Sequence, residues 1–450
     1  MNSPAPTGLP RRIGVWSATA VVVGSTIGSG IFRSPAGIAD RIPGPLPLLI
    51  IWTLGGLFAL CGALTLSELA TAIPKTGGFY AFLREAWGRL PAFLFGWGQL
   101  TIVRAASLGA IAITFAEYFV RVVGFDPTVA PYNRYAQYIA ALAIAVTATF
   151  NIVGVKWGST AINITTIAKF GGLLFIVIIA LAVGWPQTGG HFTPMVPEGS
   201  VQFGAFGLAL VSVLWAYDGW ADVTYVAGEV TDPQRNLPRA IIGGTVAVLT
   251  IYLLANIGYM AVLPIDEIRT SSLVAADVAE RVIGRPGVLF VSATVMVSTF
   301  GTLSAVLLTS PRVLFAMADD GMLFRPIAKV HPTYKTPYVA IALVATLGLI
   351  FVLLLRFEKL ADTFVIAMIP FYAIGVAGVY RLRKRPDYAP SFRTPGYPVV
   401  PALFIASVAY LLLNALMDPD SRAWAIGIFA VLLAGIPVFY RTVGRSRAGS

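Results

Sequence analysis

The chain has 450 residues, of which 57% are hydrophobic and 12% charged. A soluble domain carries about a quarter charged residues, so the composition excludes a string of ordinary soluble domains. The apolar residues gather instead into blocks near the ~20 residues that one membrane-spanning helix needs. The net charge of +11 invites a nucleic-acid reading, which its distribution along the chain removes.

Twelve spans are predicted, at about 13–40, 47–72, 92–122, 137–153, 158–184, 203–229, 240–263, 287–316, 337–355, 360–382, 398–416 and 424–440. An even number places both termini on one side. With both termini cytoplasmic, twenty of the 32 basic residues fall in inside segments and nine in outside segments, while Arg33, Arg104 and Lys169 lie within spans. That asymmetry follows the positive-inside bias, so the basic excess is an orientation signal and no nucleic-acid partner is expected. The apolar stretch after Arg11-Arg12 outlasts a signal peptide and lacks a small-residue cleavage site, so it is read as a retained span.

The first span reads Val23-Gly24-Ser25-Thr26-Ile27-Gly28-Ser29-Gly30-Ile31-Phe32. Glycine costs roughly 1 kcal/mol against alanine inside a helix, so this run invites unwinding where it lines a cavity. Taken alone, it would serve equally as a small-residue contact between packed helices. The second span holds Cys61, the chain's one cysteine, which excludes an intrachain disulfide and a thiolate metal cluster. The outside loop 123–136 has no cysteine, so no disulfide-linked ancillary subunit is expected. Glu68, at the inner end of that second span, reads as a gate or a helix-end charge.

On the third span, Arg104 is expected to pair with carbonyls or with Glu117, and Ser107 one turn on is a candidate for lining a pocket. Lys169 sits about twelve residues into the fifth span, too deep to snorkel easily to the surface, and an intramembrane cation is usually functional. Whether it also carries a proton stays open. The sixth span reads Leu214-Trp215-Ala216-Tyr217-Asp218-Gly219-Trp220-Ala221. It sets a glycine and a carboxylate in an apolar block, at the place the glycine run holds if spans 1–5 and 6–10 are paired as halves. Corresponding broken helices in two halves point to a transporter of inverted repeats with its substrate at the midplane.

Asp218 either faces the pocket, where it would attract a basic side chain, or caps a half-helix. Tyr217 and Trp220 read as packing aromatics, and Asn256 on the seventh span as a modest candidate. His191 and His331 lie far apart in loops, and no phosphate-binding loop is present, so neither a metal site, a hydrolytic triad nor ATP-driven pumping is expected. Half-helix N-termini attract an anion and C-termini a cation. A zwitterionic α-amino acid matches both ends at once.

These residues resemble the amino acid–polyamine–organocation superfamily and, within it, the L-type amino-acid transporter group. The likeness rests on Gly24 to Phe32 followed by Pro35, and on Trp215 to Trp220. It extends to Glu229 with Asp232-Pro233 and Asn236-Leu237-Pro238, Thr309-Ser310-Pro311-Arg312, and Phe392-Arg393-Thr394-Pro395. It implies an all-α membrane protein of twelve helices: a 5+5 inverted repeat with helices 1 and 6 discontinuous, plus two more helices. The corresponding divisions are a cytoplasmic tail at 1–12, repeats at 13–184 and 203–382, two added spans at 398–440, and a cytoplasmic tail at 441–450.

By matching position, the substrate site takes in Thr26, Ile27, Gly28, Ser29, Gly30, Trp215, Ala216, Asp218 and Gly219. The amides of Gly28, Ser29 and Gly30 would receive the carboxylate, and the carbonyls of Thr26, Trp215 and Asp218 the ammonium. Trp215 resembles the family's aromatic gate. Lys169 stands where sodium sits in sodium-coupled relatives, tied to Gly24, with Thr302 facing the same point. The implied protein is a sodium-independent secondary transporter of the inner or plasma membrane, without cofactor or catalytic residue. It exchanges neutral L-amino acids, and Asp218 keeps basic ones open. A proton-coupled symporter is the alternative, and an amino-acid sensor the reading from another class.

Overall fold

In hydrocarbon no water bonds the backbone, so a spanning chain must satisfy its amides and carbonyls internally. In the computed structural model the described residues accordingly form helices, and the one extended pairing among them is an isolated bridge between Ile13 and Val230. The structure describes residue 11 and residues 13–74, 77–153, 159–200, 202–319, 321–323 and 325–442. Arg12, Lys75, Lys156, Arg445 and Arg447 from the charge count, and most of both expected tails, lie outside the described residues.

The first predicted span is two helices, α1 (Val15–Thr26) and α2 (Gly30–Arg41), bent by 42°. There follow α3 (Pro45–Ala72), the short α4 (Phe79–Trp87), α5 (Arg89–Val123, with one π turn at Gln99–Val103) and α6 (Tyr132–Val153). Next come α7 (Ser159–Ile179), α8 (Phe203–Tyr217), a tight 3-10 stretch at Asp222–Glu229, and α9 (Pro233–Val262). Two small helices, α10 (Ile265–Thr270) and α11 (Val274–Ile283), precede α12 (Arg285–Asp319). The chain then runs through α13 (Tyr338–Leu354), α14 (Phe357–Leu382), α15 (Val399–Met417) and α16 (Pro419–Leu433). Among the described residues ten helices are long and apolar enough to cross a membrane, the bent α1–α2 pair makes a further span, and α13 is a shorter apolar helix of 17 residues. The protein is therefore a multi-pass membrane protein.

Helix α9 packs along α3 and α1, α2 lies against α8, and α5 runs beside α12, α13, α14 and α6. Three buried rings knit α3, α8 and α9 together. Trp52 meets Tyr217 and Tyr252 edge-on at 5.8 and 5.6 Å, the two tyrosines are 5.2 Å apart, and the Tyr217 hydroxyl donates to the Trp52 carbonyl at 3.1 Å. Each such aromatic pair adds about 0.5–1.5 kcal/mol beyond the area it buries. Tyr217 is thus the packing residue that the sequence predicts.

At the end of the bundle near Ile13, the fully buried Glu68 carboxylate gathers three segments. Arg383 grips it with two bonds of 2.8 and 2.7 Å, the Thr394 amide and hydroxyl each donate at 2.7 Å, and the Tyr388 hydroxyl donates at 3.2 Å. The end of α3 is thereby fixed to the end of α14 and to the turn before α15. Arg383 in turn lies 3.7 Å from the centre of the Tyr397 ring. Beside Glu68, outside the spans, burial and the neighbouring carboxylate raise the Tyr388 phenol above its ordinary value, so it stays a donor.

Removing one member of a buried, hydrogen-bonded pair costs about 3–5 kcal/mol, whereas an exposed pair contributes about 0–1 kcal/mol. Glu68→Ala is therefore expected to lower the midpoint of thermal unfolding in detergent by several degrees. Glu85→Ala, which frees only the half-exposed Arg385, is expected to leave it nearly unchanged.

Candidate substrate site

The first break is shorter than the glycine spacing predicts. Gly24 and Ser25 remain in α1, and only Ile27, Gly28 and Ser29 leave the helix before α2 starts at Gly30. The valine run ahead of Gly24 holds the last turn, which closes with Ile27 N–H on the Val23 carbonyl at 2.8 Å. No side chain caps the start of α2. The first amides of a helix have no partner within it and carry the positive end of its dipole, so this turn presents donors to an anion.

The second break follows α8. Asp218 turns the chain to extended geometry (φ −65°, ψ 145°), and Gly219 takes φ +123°, a conformation only glycine adopts without strain. A Cβ on Gly219 would stand 2.6 Å from the Thr26 nitrogen, and one on Gly30 would overlap the Ala216 backbone. The two breaks thus cross backbone against backbone. At the crossing the Tyr252 hydroxyl, from α9, reaches the Thr26 carbonyl at 2.9 Å and the Ala216 carbonyl at 3.0 Å. One proton is shared between the carbonyl ends of two half-helices. Asn256, one turn along α9, is buried and donates to the Tyr252 carbonyl at 2.8 Å, which makes it a local helix bond.

Of the three carbonyls implied for a substrate ammonium, that of Thr26 already accepts from Tyr252 and that of Trp215 from the Asp218 amide at 3.3 Å. Each keeps a second lone pair. The Lys169 ammonium donates to the Gly24 carbonyl at 3.0 Å and to the Thr302 hydroxyl at 2.6 Å, so α7, α1 and α12 meet at that one charge. Ser107 is buried on α5, three residues beyond Arg104. Trp215 is buried against α14, edge-on to Phe364 at 4.9 Å and to Phe357 at 6.4 Å, with its indole nitrogen unpartnered.

The Asp218 carboxylate reaches across the break to accept the Tyr372 hydroxyl of α14 at 2.7 Å. Tyr372 is itself wedged between Phe79 at 4.7 Å and Trp220 at 5.1 Å, so Trp220 packs as expected. The pairing expected between Arg104 and Glu117 is not formed. Glu117 instead takes Arg33 at 2.9 Å, and Arg104 lies within electrostatic reach of Asp218, Asp222 and Tyr225. The reason is direction along α5: Arg104 lies level with the second break, whereas Glu117, thirteen residues and some 20 Å further on, lies level with α2.

The sequence does not single out Tyr252, Tyr372 or Asp222, whose carboxylate lies within electrostatic reach of Arg104. A tyrosine in an apolar span reads as a large apolar group with a polar tip, and nothing in its neighbours says which carbonyl the tip meets. Among the described residues no cluster of three or more His, Cys, Asp or Glu side chains is placed to hold a metal ion.

Spanning helices with two breaks crossed at their middle are the architecture of a secondary transporter. Sequence comparison agrees: the chain belongs to the amino acid permease family, whose family model matches residues 13–438. It is 33% identical over 437 residues to the serine/threonine exchanger SteT of Bacillus subtilis, covering 96% of this chain and 97% of that one. It is 32% identical over 432 residues to the human b(0,+)-type amino acid transporter 1 (96% and 88%). It is 30% identical over 439 residues to the mouse large neutral amino acids transporter small subunit 2 (96% and 81%). The family and these relatives are permeases and transporters, not enzymes.

Lys169→Ala would remove the one charge that ties α7 and α12 to α1. Exchange in proteoliposomes is expected to fall by about tenfold or more, since ~1.4 kcal/mol at one step suffices for that factor. Gly30→Ala, which forces α2 from α8, is expected to abolish substrate binding measured by thermal stabilisation while leaving helix content unchanged.

Proposed function

We propose that this chain is a sodium-independent secondary transporter that exchanges neutral L-amino acids across the inner or plasma membrane. It alternates access around the crossed breaks, with both termini cytoplasmic. In this reading the substrate carboxylate sits on the amides of Gly28, Ser29 and Gly30, and its ammonium on free lone pairs of the Thr26, Trp215 and Asp218 carbonyls. Ile27, Ala216 and Gly219 shape the backbone between these points. Trp215 closes the site from outside, and Ser107 lines its α5 side.

The observation that carries the reading is the crossing itself, because it brings the amide end of α2 and the carbonyl ends of α1 and α8 to one place. Only a ligand bearing both charges close together satisfies both ends. The ammonium of Lys169, on the Gly24 carbonyl and the Thr302 hydroxyl, supports sodium independence, since it already supplies the positive charge at that carbonyl end. The names of the relatives support exchange as the mode of transport. The divisions at 13–184 and 203–382, which start the two breaks at equivalent places, belong to the same proposal, as do the added spans at 398–440.

A specific observation favours a wider substrate range. Asp218 holds a carboxylate at the edge of the second break, where one of its oxygens accepts from Tyr372; in this reading the carboxylate also receives a basic side chain. Asp218→Ala is expected to lose arginine and lysine uptake by about tenfold or more while retaining neutral substrates; equal loss of both would assign the carboxylate to holding the break alone.

The direct test is uptake of a panel of labelled amino acids into proteoliposomes, with and without internal amino acid, in sodium and in potassium, at matched and stepped pH. Uptake that requires internal amino acid and ignores sodium is expected. Uptake into empty vesicles driven by an inward proton gradient would make the protein a symporter. No uptake of any substrate that still binds would make it a sensor.

A further inference from the structure

Helix α2 carries two arginines, eight residues apart, where a membrane-spanning helix rarely bears any charge. Both are paired away from their own helix. Arg33 bonds Glu117 of α5 at 2.9 Å and Glu358 of α14 at 3.1 Å, and its guanidinium lies 5.1 Å from the centre of the Phe357 ring. Arg41, at the end of α2, donates to the Leu208 carbonyl at 2.8 Å and the Ser212 hydroxyl at 2.7 Å, both on α8, and to Asp362 of α14 at 3.3 Å. Glu358 and Asp362 are four residues apart, on one face of α14. Helix α2 is therefore tied at Arg33 and at Arg41 to a single turn of α14.

Trp215 packs against Phe357 and Phe364, which flank that turn on either side. Apolar rings thus cover the crossing of the breaks, and ion pairs cover the rings. Two arginines and three carboxylates meet there, with Lys359 beside Asp362 supplying a third positive charge. The layer is balanced in charge, so its pairs hold helices together without drawing an ion. Its rungs differ in exposure: Arg33 and Glu117 are almost wholly buried, whereas Glu358 is half exposed.

We propose that Arg33 and Arg41, with Glu358 and Asp362, form an ion-pair lock above Trp215 that holds the outer side closed and must part before the site can face outward. The proposal rests on the alternating-access reading above. Because α2 begins at Gly30, within the first break, parting the lock frees the helix whose amides are assigned to the substrate carboxylate. Binding and opening then act on one rigid element. The exposed Glu358 rung is open to screening, since the Debye length shrinks from about 10 Å at 0.1 M salt to about 3 Å at 1 M; the buried rungs are not.

The test reads opening without transport. In a Cys61→Ser background, a single reporter cysteine at Ser107→Cys is labelled with an impermeant thiol reagent added outside right-side-out vesicles. Glu358→Gln is expected to speed labelling by about fivefold, the factor matching a pair at the upper end of exposed ion pairs, and Asp362→Asn, which breaks a more buried pair, to speed it by at least as much. Glu358→Asp, which keeps the charge, is expected to label close to the parent rate. In the parent, raising external salt to 1 M is expected to speed labelling, and in Glu358→Gln to change it little. Glu358 is half exposed, so its neutralisation leaves no buried hole, and this variant reads the lock even if the Asp362→Asn variant fails to fold. Labelling unchanged by Glu358→Gln and by salt overturns the lock. Absence of exchange in the unmodified chain overturns the transport reading instead, and the labelling rates separate the two.

Discussion

A helix that stops in the middle of a bilayer leaves backbone groups with no water to bond, each at a cost of several kcal/mol. The structure meets this constraint by making its two interruptions serve each other. Gly219 lets the second break lie against the Thr26 nitrogen, Gly30 lets α2 begin against Ala216, and the Tyr252 hydroxyl stands between the last carbonyls of α1 and α8. Lys169 takes the carbonyl of Gly24 two residues back. What is left over is the first turn of α2, which no side chain caps, and single lone pairs on carbonyls already half used. The residue of unsatisfied polarity has the shape of one anion beside one cation.

The same rule sorts the charges. Arg33, Arg41, Glu117 and Glu68 each reach across to another helix, because an unpaired charge in the interior costs far more than the pairing returns. Lys169 differs, since the two bonds it makes are to neutral oxygens. Its charge is answered by the carbonyl end of α1, where the helix dipole is negative. With these neutral partners the ammonium is a fixed positive group at the end of α1, and this sets it apart from the ion pairs that brace the two ends of the bundle.

The sequence made the spans legible because hydropathy is additive along a helix, and both breaks legible because glycine and aspartate are costly in an apolar block. Gly28, Gly30, Asp218 and Gly219 announced themselves by type alone. The extent of the first break did not: Gly24 stays helical because bonds to Val23 and its neighbours outweigh glycine's weak penalty. Partners were the least legible. Arg104 and Glu117 are opposite charges on one helix, yet thirteen residues separate them and each is answered from a different level of the bundle. Tyr252 and Tyr372 carry their polar tip on an apolar body, so only the fold reveals that one ties the breaks together and the other holds Asp218.

The crossed breaks also bear on why exchange is the mode proposed. To change sides, the site must pass through a state closed at both ends, in which no water bonds the amides of α2 or the spare carbonyl lone pairs. In the proposed binding mode an amino acid satisfies both sets, whereas the empty site carries them unpaired through that state. An unsatisfied buried group costs about 1–3 kcal/mol. Two such groups at ~2 kcal/mol each slow the empty return by about a thousandfold, since ~1.4 kcal/mol is a factor of ten. The loaded site escapes that penalty, so a carrier built on helix ends that only a zwitterion completes returns quickly only when it is loaded again. Lys169 fits the same proposal, because its bonds to Gly24 and Thr302 hold a positive charge at the carbonyl end whether the site is loaded or empty.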